Sequence, residues 1–158
     1  MSFEASAEDV ARVESYVGRP MAGRFRVVVR RTKGSPVVIE NDPHLRDGTP
    51  MPTLYWLVDP RLVDEVSRLE SDGGVHRFES LVEPARLEAA HAAYARRRDS
   101  LVSRSGAVAP VGGVGGTRRG IKCLHAHLAN YLTGADDPVG EVVAAELELN
   151  LGEFRREP

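Results

Sequence analysis

The stretch 24–39, RFRVVVRRTKGSPVVI, decides the fold because it contains a complete β-hairpin. Phe25, Val27 and Val29 alternate with arginines, which is the pattern of a strand with one buried face. A Lys-Gly pair then marks a turn, and Pro36 begins an apolar return segment. Proline suits the first position of a strand because it has no N–H to donate. The stretch therefore predicts two antiparallel strands.

Further strand and helix signals extend on both sides of this hairpin. Residues 53–58, TLYWLV, form a nearly continuous apolar run, which predicts a central strand covered on both faces. Capping signals and apolar periodicity predict helices before Gly18, after Asp59-Pro60, over about 84–104, over about 120–133 and over about 138–150. Residues 75–82 are ambiguous and allow a short strand. The pattern predicts one α+β domain over residues 1–158, with about three antiparallel strands and four to five helices.

Composition narrows the classes of function. The chain has 158 residues and a formal net charge of -2, so it lacks the basic field that attracts nucleic acid or anionic membranes. It has one cysteine, which excludes an intrachain disulfide. No apolar run approaches the length of about 18 residues that a transmembrane helix needs. We therefore expect a cytoplasmic protein with no nucleic-acid or membrane partner.

The residues richest in chemically capable side chains are 112–131, GGVGGTRRGIKCLHAHLANY. The composition of the segment 105–119 predicts a mobile loop, and a helix follows it. The glycines do not form a nucleotide-binding motif. Ile121 intervenes before the lysine of a phosphate loop, and Cys123 replaces its serine or threonine. The dinucleotide pattern also fails, because Arg118 occupies the position of its third glycine.

An anion site is a weaker interpretation of the same segment. Arg118, Arg119 and Lys122 lie beside the predicted start of a helix, where backbone N–H groups and the helix dipole favour a phosphate or carboxylate. Lys122 is one of only two lysines in the chain. The alternative is a flexible connector with solvated arginines.

A polar loop before the third predicted strand supplies further ligand candidates, namely Asp47, Thr49 and Thr53. Loops beside rigid strands often carry function, although Asp47 also suits ordinary turn chemistry. Our leading prediction is a pocket for a small anionic or phosphorylated ligand between this loop and the helix after Gly120. His125 or His127 would then be available for proton transfer.

Metal binding is another interpretation of the helix after Gly120. Helical spacing places Cys123 and His127 on one face as an i,i+4 pair, and it places His125 about 160° away beside the apolar stripe. The pair would need further ligands, for which His44, Asp47, His76 and His91 are the candidates. The alternatives are a buried thiol with hydrogen-bonded histidines and a Cys–His nucleophilic pair. The spacing of His91 itself favours a packed core histidine.

The default interpretation of Ser67, Arg68 and Glu70, on the outer face of their helix, is an ion pair with a neighbouring element. A non-enzymatic interaction module is the alternative to ligand binding. The 84–104 helix and the C-terminal helix would then present a partner or self-association surface. The apolar residues expected to form it on the C-terminal helix are Val139, Val142, Val143 and Leu147.

Four stretches together resemble the bacterial family of domain of unknown function 501, which is common in actinobacteria. They are DGTPMPTLYWL at 47–57, VSRLE at 66–70, GIKCLHAHLANYL at 120–132 and DPVG at 137–140. The resemblance covers roughly residues 10–146. It implies a small cytoplasmic protein whose genes lie at times near exopolyphosphatase-like and septum-formation genes. That context agrees with phosphate-related metabolism or with a role in cell division.

One departure from the family concerns the hairpin turn. Relatives often carry a cysteine in the turn that matches residues 32–36, and this chain has none there. A family metal site that used such a cysteine would not be intact in this chain.

Overall fold

The computed structural model describes residues 3–104 and 106–158, and its fold is α+β. The strands are β1 (Phe25–Arg31), β2 (Pro36–Asn41), β3 (Tyr55–Leu57) and β4 (Phe154–Arg156). The α-helices are α1 (Ala7–Val17), α2 (Pro60–Ser71), α3 (Gly74–Leu81), α4 (Pro84–Ser100), α5 (Leu124–Leu132) and α6 (Pro138–Glu146). Short 3-10 turns lie at Val114–Gly116 and Leu151–Glu153.

The hairpin that the sequence predicts is confirmed as the centre of an antiparallel sheet. β1 pairs with β2 from Phe25 opposite Asn41 to Arg30 opposite Pro36, and the register shifts after Val27. The strand order is β3-β2-β1-β4. The fourth strand escaped the sequence analysis because it has only three residues and two of them are arginines. So short a segment carries no measurable alternation of apolar and polar residues.

The prediction that residues 53–58 form a central strand is wrong. β3 has three residues, pairs only with β2 and lies at an edge of the sheet. Its side chains are nevertheless largely buried, because helix α5 packs against it. The apolar run therefore predicted a largely buried strand correctly, but face burial does not show whether a strand has one neighbour in the sheet or two.

The sheet separates two apolar clusters. Helix α1 covers one face, where Val13 packs with Phe25, Val27 and Ile39. The other face carries the larger cluster, to which the remaining helices contribute. Its fully or almost fully buried members include Val29, Val37, Val38, Leu62, Phe78, Leu124, Leu128 and Val143. Helix α5 lies deepest in this layer, because seven of its residues are buried, including His127.

Helix boundaries differ from the sequence predictions at four places, one of which is the end of α4 at Ser100 and not near residue 104. Residues 74–81 form α3 and no strand, because Gly74 and Phe78 lie four residues apart and bury one helical face. Helix α5 begins at Leu124 and not near residue 120, because Gly120 has a φ of 62° and Cys123 is extended. Helix α6 ends at Glu146, and the positive φ of Glu148 prevents its continuation to residue 150.

Candidate functional site

The glycine-rich segment after residue 105 forms a loop over helix α4, and His91 of α4 holds it. The His91 Nδ1 accepts a hydrogen bond from the N–H of Val114 at 3.0 Å, and its Nε2 donates to the carbonyl of Gly120 at 2.9 Å. Burial lowers the pKa of His91. His91 is therefore a neutral ring with a fixed tautomer, in agreement with the prediction of a packed core histidine.

A buried arginine connects this loop with the polar loop before β3. Arg98 is 1% exposed and donates from Nη1 to the carbonyl of Gly112 at 2.6 Å and to that of Pro52 at 3.2 Å. Its acidic partner is the neighbouring Asp99, whose side chain is 57% exposed. The two loops are also joined by His44, whose Nε2 donates to the carbonyl of Val108 at 2.8 Å. These hydrogen bonds connect the glycine-rich loop to the rest of the fold. The mobility that its composition predicts stays a prediction.

A cleft of about 420 Å³ lies between helix α4 and the glycine-rich loop, and we call it the α4 cleft. Its charged and titratable lining residues are Glu88, His91, Arg98, Asp99, Arg118 and Arg119. Arg118 and Arg119 are exposed, and neither forms a salt bridge within residues 3–104 and 106–158. A neighbouring cleft of about 370 Å³ shares Glu88, His91 and Arg119 with it. Cationic groups thus outnumber carboxylates along the α4 cleft.

Four of the residues expected to bind the anion do not line the α4 cleft. Asp47 is exposed and accepts the N–H of Thr49 at 2.9 Å, and this bond lowers the pKa of Asp47. Thr53 offers its carbonyl to the side chain of Asn41. Lys122 is exposed ahead of helix α5, beside Gly116. The structure therefore brings Arg118 and Arg119 together and leaves the Asp47 loop as an ordinary turn.

The prediction that Cys123 and His127 share one face of the helix is wrong. Cys123 precedes the first turn of α5 in an extended conformation, so the helical angles that separated it from His125 do not apply. Its Sγ lies 3.6 Å from the Nδ1 of His125, and Oε1 of Glu70 on α2 lies 2.5 Å from the same nitrogen. Cys123 and His125 therefore face one another, and Glu70 completes the group, which is half-buried.

The other nitrogen of His125 faces helix α2. Its Nε2 lies 3.1 Å from the carbonyl of Val63 and 3.1 Å from Oγ of Ser67. Because a carbonyl only accepts, Nε2 carries a proton in this arrangement. Burial alone would lower the pKa of His125, but the hydrogen bond and charge of Cys123 and the charge of Glu70 raise it above its ordinary value.

His127 lies on the opposite, sealed side of α5. It is fully buried and donates from Nδ1 to the carboxylate of Asp137 at 2.8 Å. Burial would raise the pKa of Asp137, but hydrogen bonds from His127, from Asn130 and from a backbone N–H at the start of α6 lower it. The Nε2 of His127 has no hydrogen-bond partner among the described residues, and the ring packs edge-on against His91. His127 therefore cannot pair with Cys123.

Sequence reasoning missed Arg98 and Asp137 as members of these groups, whereas the ion pair expected between Glu70 and a neighbouring element is found with His125 of α5. Glu70 carried one usable signal: with Val63 and Ser67 it has the spacing i, i+4, i+7, which places all three on one face of α2. Arg98 carried none, because an arginine in a run of three has the pattern of a solvated face.

Comparison with known proteins agrees with the resemblance noted from the sequence. Residues 27–145 match the family described as protein of unknown function (DUF501), and the chain belongs to this family. No curated protein and no solved structure gives a significant match. Among the helices of the described residues, none combines the length and the apolar character needed to cross a membrane.

Proposed function

We propose that the protein binds a small anionic ligand, of the phosphate or carboxylate class, in the α4 cleft. The observation that carries this proposal is the convergence of Arg98, Arg118 and Arg119 on one cleft. A volume of about 420 Å³ lies within the range of small-ligand sites, which is roughly 300–1,000 Å³.

The charge balance of the cleft supports an anion. The guanidinium of Arg98 is buried, and its acidic partner Asp99 is more than half exposed. A buried cation gains from any nearby anion, because the low dielectric strengthens their attraction. Glu88 and Asp99 offset two of the three positive charges, and an anionic ligand would balance the third. An oxyanion can accept bidentate hydrogen bonds from Arg118 or Arg119.

The glycine-rich loop has a structural part in this proposal. A Cβ added at Gly113 would lie 2.6 Å from the ring of His91, so only glycine allows the loop to approach α4 this closely. His91 binds the backbone with both nitrogens, which makes it a positioning residue and no source of positive charge. A phosphorylated ligand is the form that we favour, since planar guanidinium groups match phosphate geometry.

Binding is tested by calorimetric titration of the full chain with inorganic phosphate, pyrophosphate and citrate, with glucose as the uncharged control. We expect at least one of the anions to bind and glucose not to bind. The double variant Arg118→Gln/Arg119→Gln should weaken that binding by at least about tenfold, since each charged hydrogen bond contributes about 1.5–3 kcal/mol. The matched control is Arg61→Gln, an exposed arginine on α2. Absence of binding by all three anions, or equal binding by the double variant and the control, would overturn the proposal.

The interaction module remains the alternative proposal, but its expected surface is not where the sequence placed it. Val139 and Val143 of α6 are fully buried in the core, and Val142 and Leu147 pack against it. The most exposed large apolar residues of the described chain include Val108 and Val111, on the loop beside the α4 cleft. Self-association, a partner in cell division and a cytoplasmic location all stay predictions.

A further inference from the structure

Three side chains with metal-binding atoms converge between helix α2 and the start of helix α5. We infer that Glu70, Cys123 and His125 form a binding site for a divalent transition-metal ion of the zinc type. Their donor atoms, one from each residue, all lie within 4.8 Å of one another. None of these three residues lines the α4 cleft, so metal binding can be tested independently of the proposed anion binding.

The distances fit a single ion after a small movement. Zinc bonds of about 2.0–2.3 Å in tetrahedral geometry place neighbouring ligand atoms roughly 3.3–3.8 Å apart. The Cys123 Sγ and His125 Nδ1 are already 3.6 Å apart. The Glu70 Oε1 and His125 Nδ1 are 2.5 Å apart and must separate by about 1 Å to match this spacing. Both side chains are only partly buried, at 26% and 23% exposure, so a rotamer adjustment of Glu70 can supply this movement.

The hydrogen-bond pattern prepares the nitrogen that would bind the ion. The carbonyl of Val63 requires a proton on the Nε2 of His125, so in the neutral ring Nδ1 is left with its lone pair. This nitrogen faces the sulfur of Cys123 and the carboxylate of Glu70, and the ion would displace the proton that Nδ1 donates to Glu70 in the metal-free chain. A thiolate and a carboxylate together carry two negative charges, which match a divalent cation.

The surroundings of His125 resemble the outer shell of known zinc sites. Metal-binding histidines usually donate their second N–H to a carbonyl or carboxylate, which fixes the ring. Val63 and Ser67 take this position here, both on the face of α2 that also carries Glu70. The same helix thus supplies one ligand and the groups that orient another.

The donor set also selects the class of ion. Thiolate and imidazole are poor ligands for magnesium and calcium, whereas one sulfur, one nitrogen and one oxygen suit zinc and its neighbours in the transition series. Three protein ligands leave a fourth position for water in a half-exposed site, which is the arrangement of catalytic rather than structural zinc. The histidine that the sequence paired with Cys123, His127, is instead committed to Asp137.

The inference is tested with cobalt(II), which replaces zinc and reports its ligands by absorption. Cys123 is the only cysteine, so a thiolate-to-cobalt charge-transfer band can come from no other residue. We expect one cobalt ion per full-length chain, a charge-transfer band, the visible bands of tetrahedral coordination, and displacement by zinc. Cys123→Ser should abolish the charge-transfer band. His125→Gln and Glu70→Gln should weaken binding by at least about tenfold, as loss of a supporting residue already does.

The matched control is His76→Gln, which removes an exposed histidine on α3 and should leave cobalt binding unchanged. Wild-type protein gives a readout that needs no variant: zinc should slow alkylation of Cys123 by iodoacetamide, and a chelator should restore the rate. Absence of the charge-transfer band together with zinc-independent alkylation would overturn the inference and leave a free thiol beside a histidine. Equal cobalt affinity in wild type, His125→Gln and Glu70→Gln would overturn it as well.

Discussion

Helix α5 carries two histidines, two residues apart, and each contacts a carboxylate in a different environment. His127 and Asp137 are both 0% exposed, and Asp137 also accepts two N–H groups at the start of α6. His125 and Glu70 are 23% and 26% exposed, and a thiol lies against the same nitrogen. The first pair is closed on all sides by the fold, whereas the second is open to solvent and to a ligand.

This contrast shows how burial makes two residues of one type differ in their contribution to folding. In the sealed pair every carboxylate oxygen is used by the protein, and removal of one partner leaves a buried polar group without compensation. In the partly exposed pair of His125 and Glu70, water can reach either partner, so the pair contributes less to folding. Its groups are therefore free to serve another purpose.

The largest expected effect comes from removing Asp137 from its buried pair with His127. Asp137→Ala should lower the free energy of unfolding by about 3–5 kcal/mol, because it leaves His127 unpaired in the core and removes the cap of α6. Chemical denaturation measures this. Asp136→Ala is the neighbouring control, since Asp136 is 82% exposed and pairs with Arg86 at the surface, and it should change the value by under about 1 kcal/mol. Equal effects of the two substitutions would contradict the contrast.

The buried pair of His127 and Asp137 should make the folded protein less stable in acid. The pKa of Asp137 is lower in the folded chain than its ordinary value, so the folded state binds its proton less readily than the unfolded state. Its stabilisation is therefore complete above the unfolded pKa of about 3.9 and is lost as the pH falls through the folded pKa. Asp137→Asn cannot titrate, so its deficit relative to wild type should shrink below about pH 4. A deficit that is constant from neutral pH to pH 3 would remove this residue from the acid response.

The smallest expected effect concerns the half-exposed pair. In metal-free buffer, Glu70→Gln should change the free energy of unfolding by no more than about 1 kcal/mol, because the pair keeps contact with water and the glutamine carbonyl can still accept a hydrogen bond from His125. Thermal and chemical denaturation of the metal-free protein measure it. A loss comparable to that of Asp137→Ala would mean that Glu70 and His125 are structural after all, and the contrast between the two pairs would fail.

Much of the fold followed from local signals. The alternation in residues 25–29 and the turn after it predicted β1 and β2, and α1 ends before Gly18 as expected. Local signals failed to predict those elements whose structure depends on contacts with distant parts of the chain. The edge position of β3, the helix α3 and the strand β4 each depend on which surface covers a short segment, and no pattern within that segment states it.

The candidate sites divide in the same way. The sequence identified the segment 112–131 as the place of interest, together with Arg118, Arg119, Cys123 and His125. It assigned the wrong partners to Cys123, because the assignment extended helical geometry to a residue that lies before the helix. It could not identify Arg98, whose burial depends on carbonyls from two separate loops.

By itself the sequence determined the α+β class, the hairpin at the centre of the sheet and membership of a family, because periodicity, turn chemistry and motif identity are written in neighbouring residues. Only the tertiary structure decided which histidine joins Cys123. That choice depends on Gly120 and Cys123, whose backbone conformations delay the start of α5, and on the packing of α2 against it. Contacts between residues 50 or more positions apart bring Glu70 to His125, and such contacts leave no periodic trace in the chain.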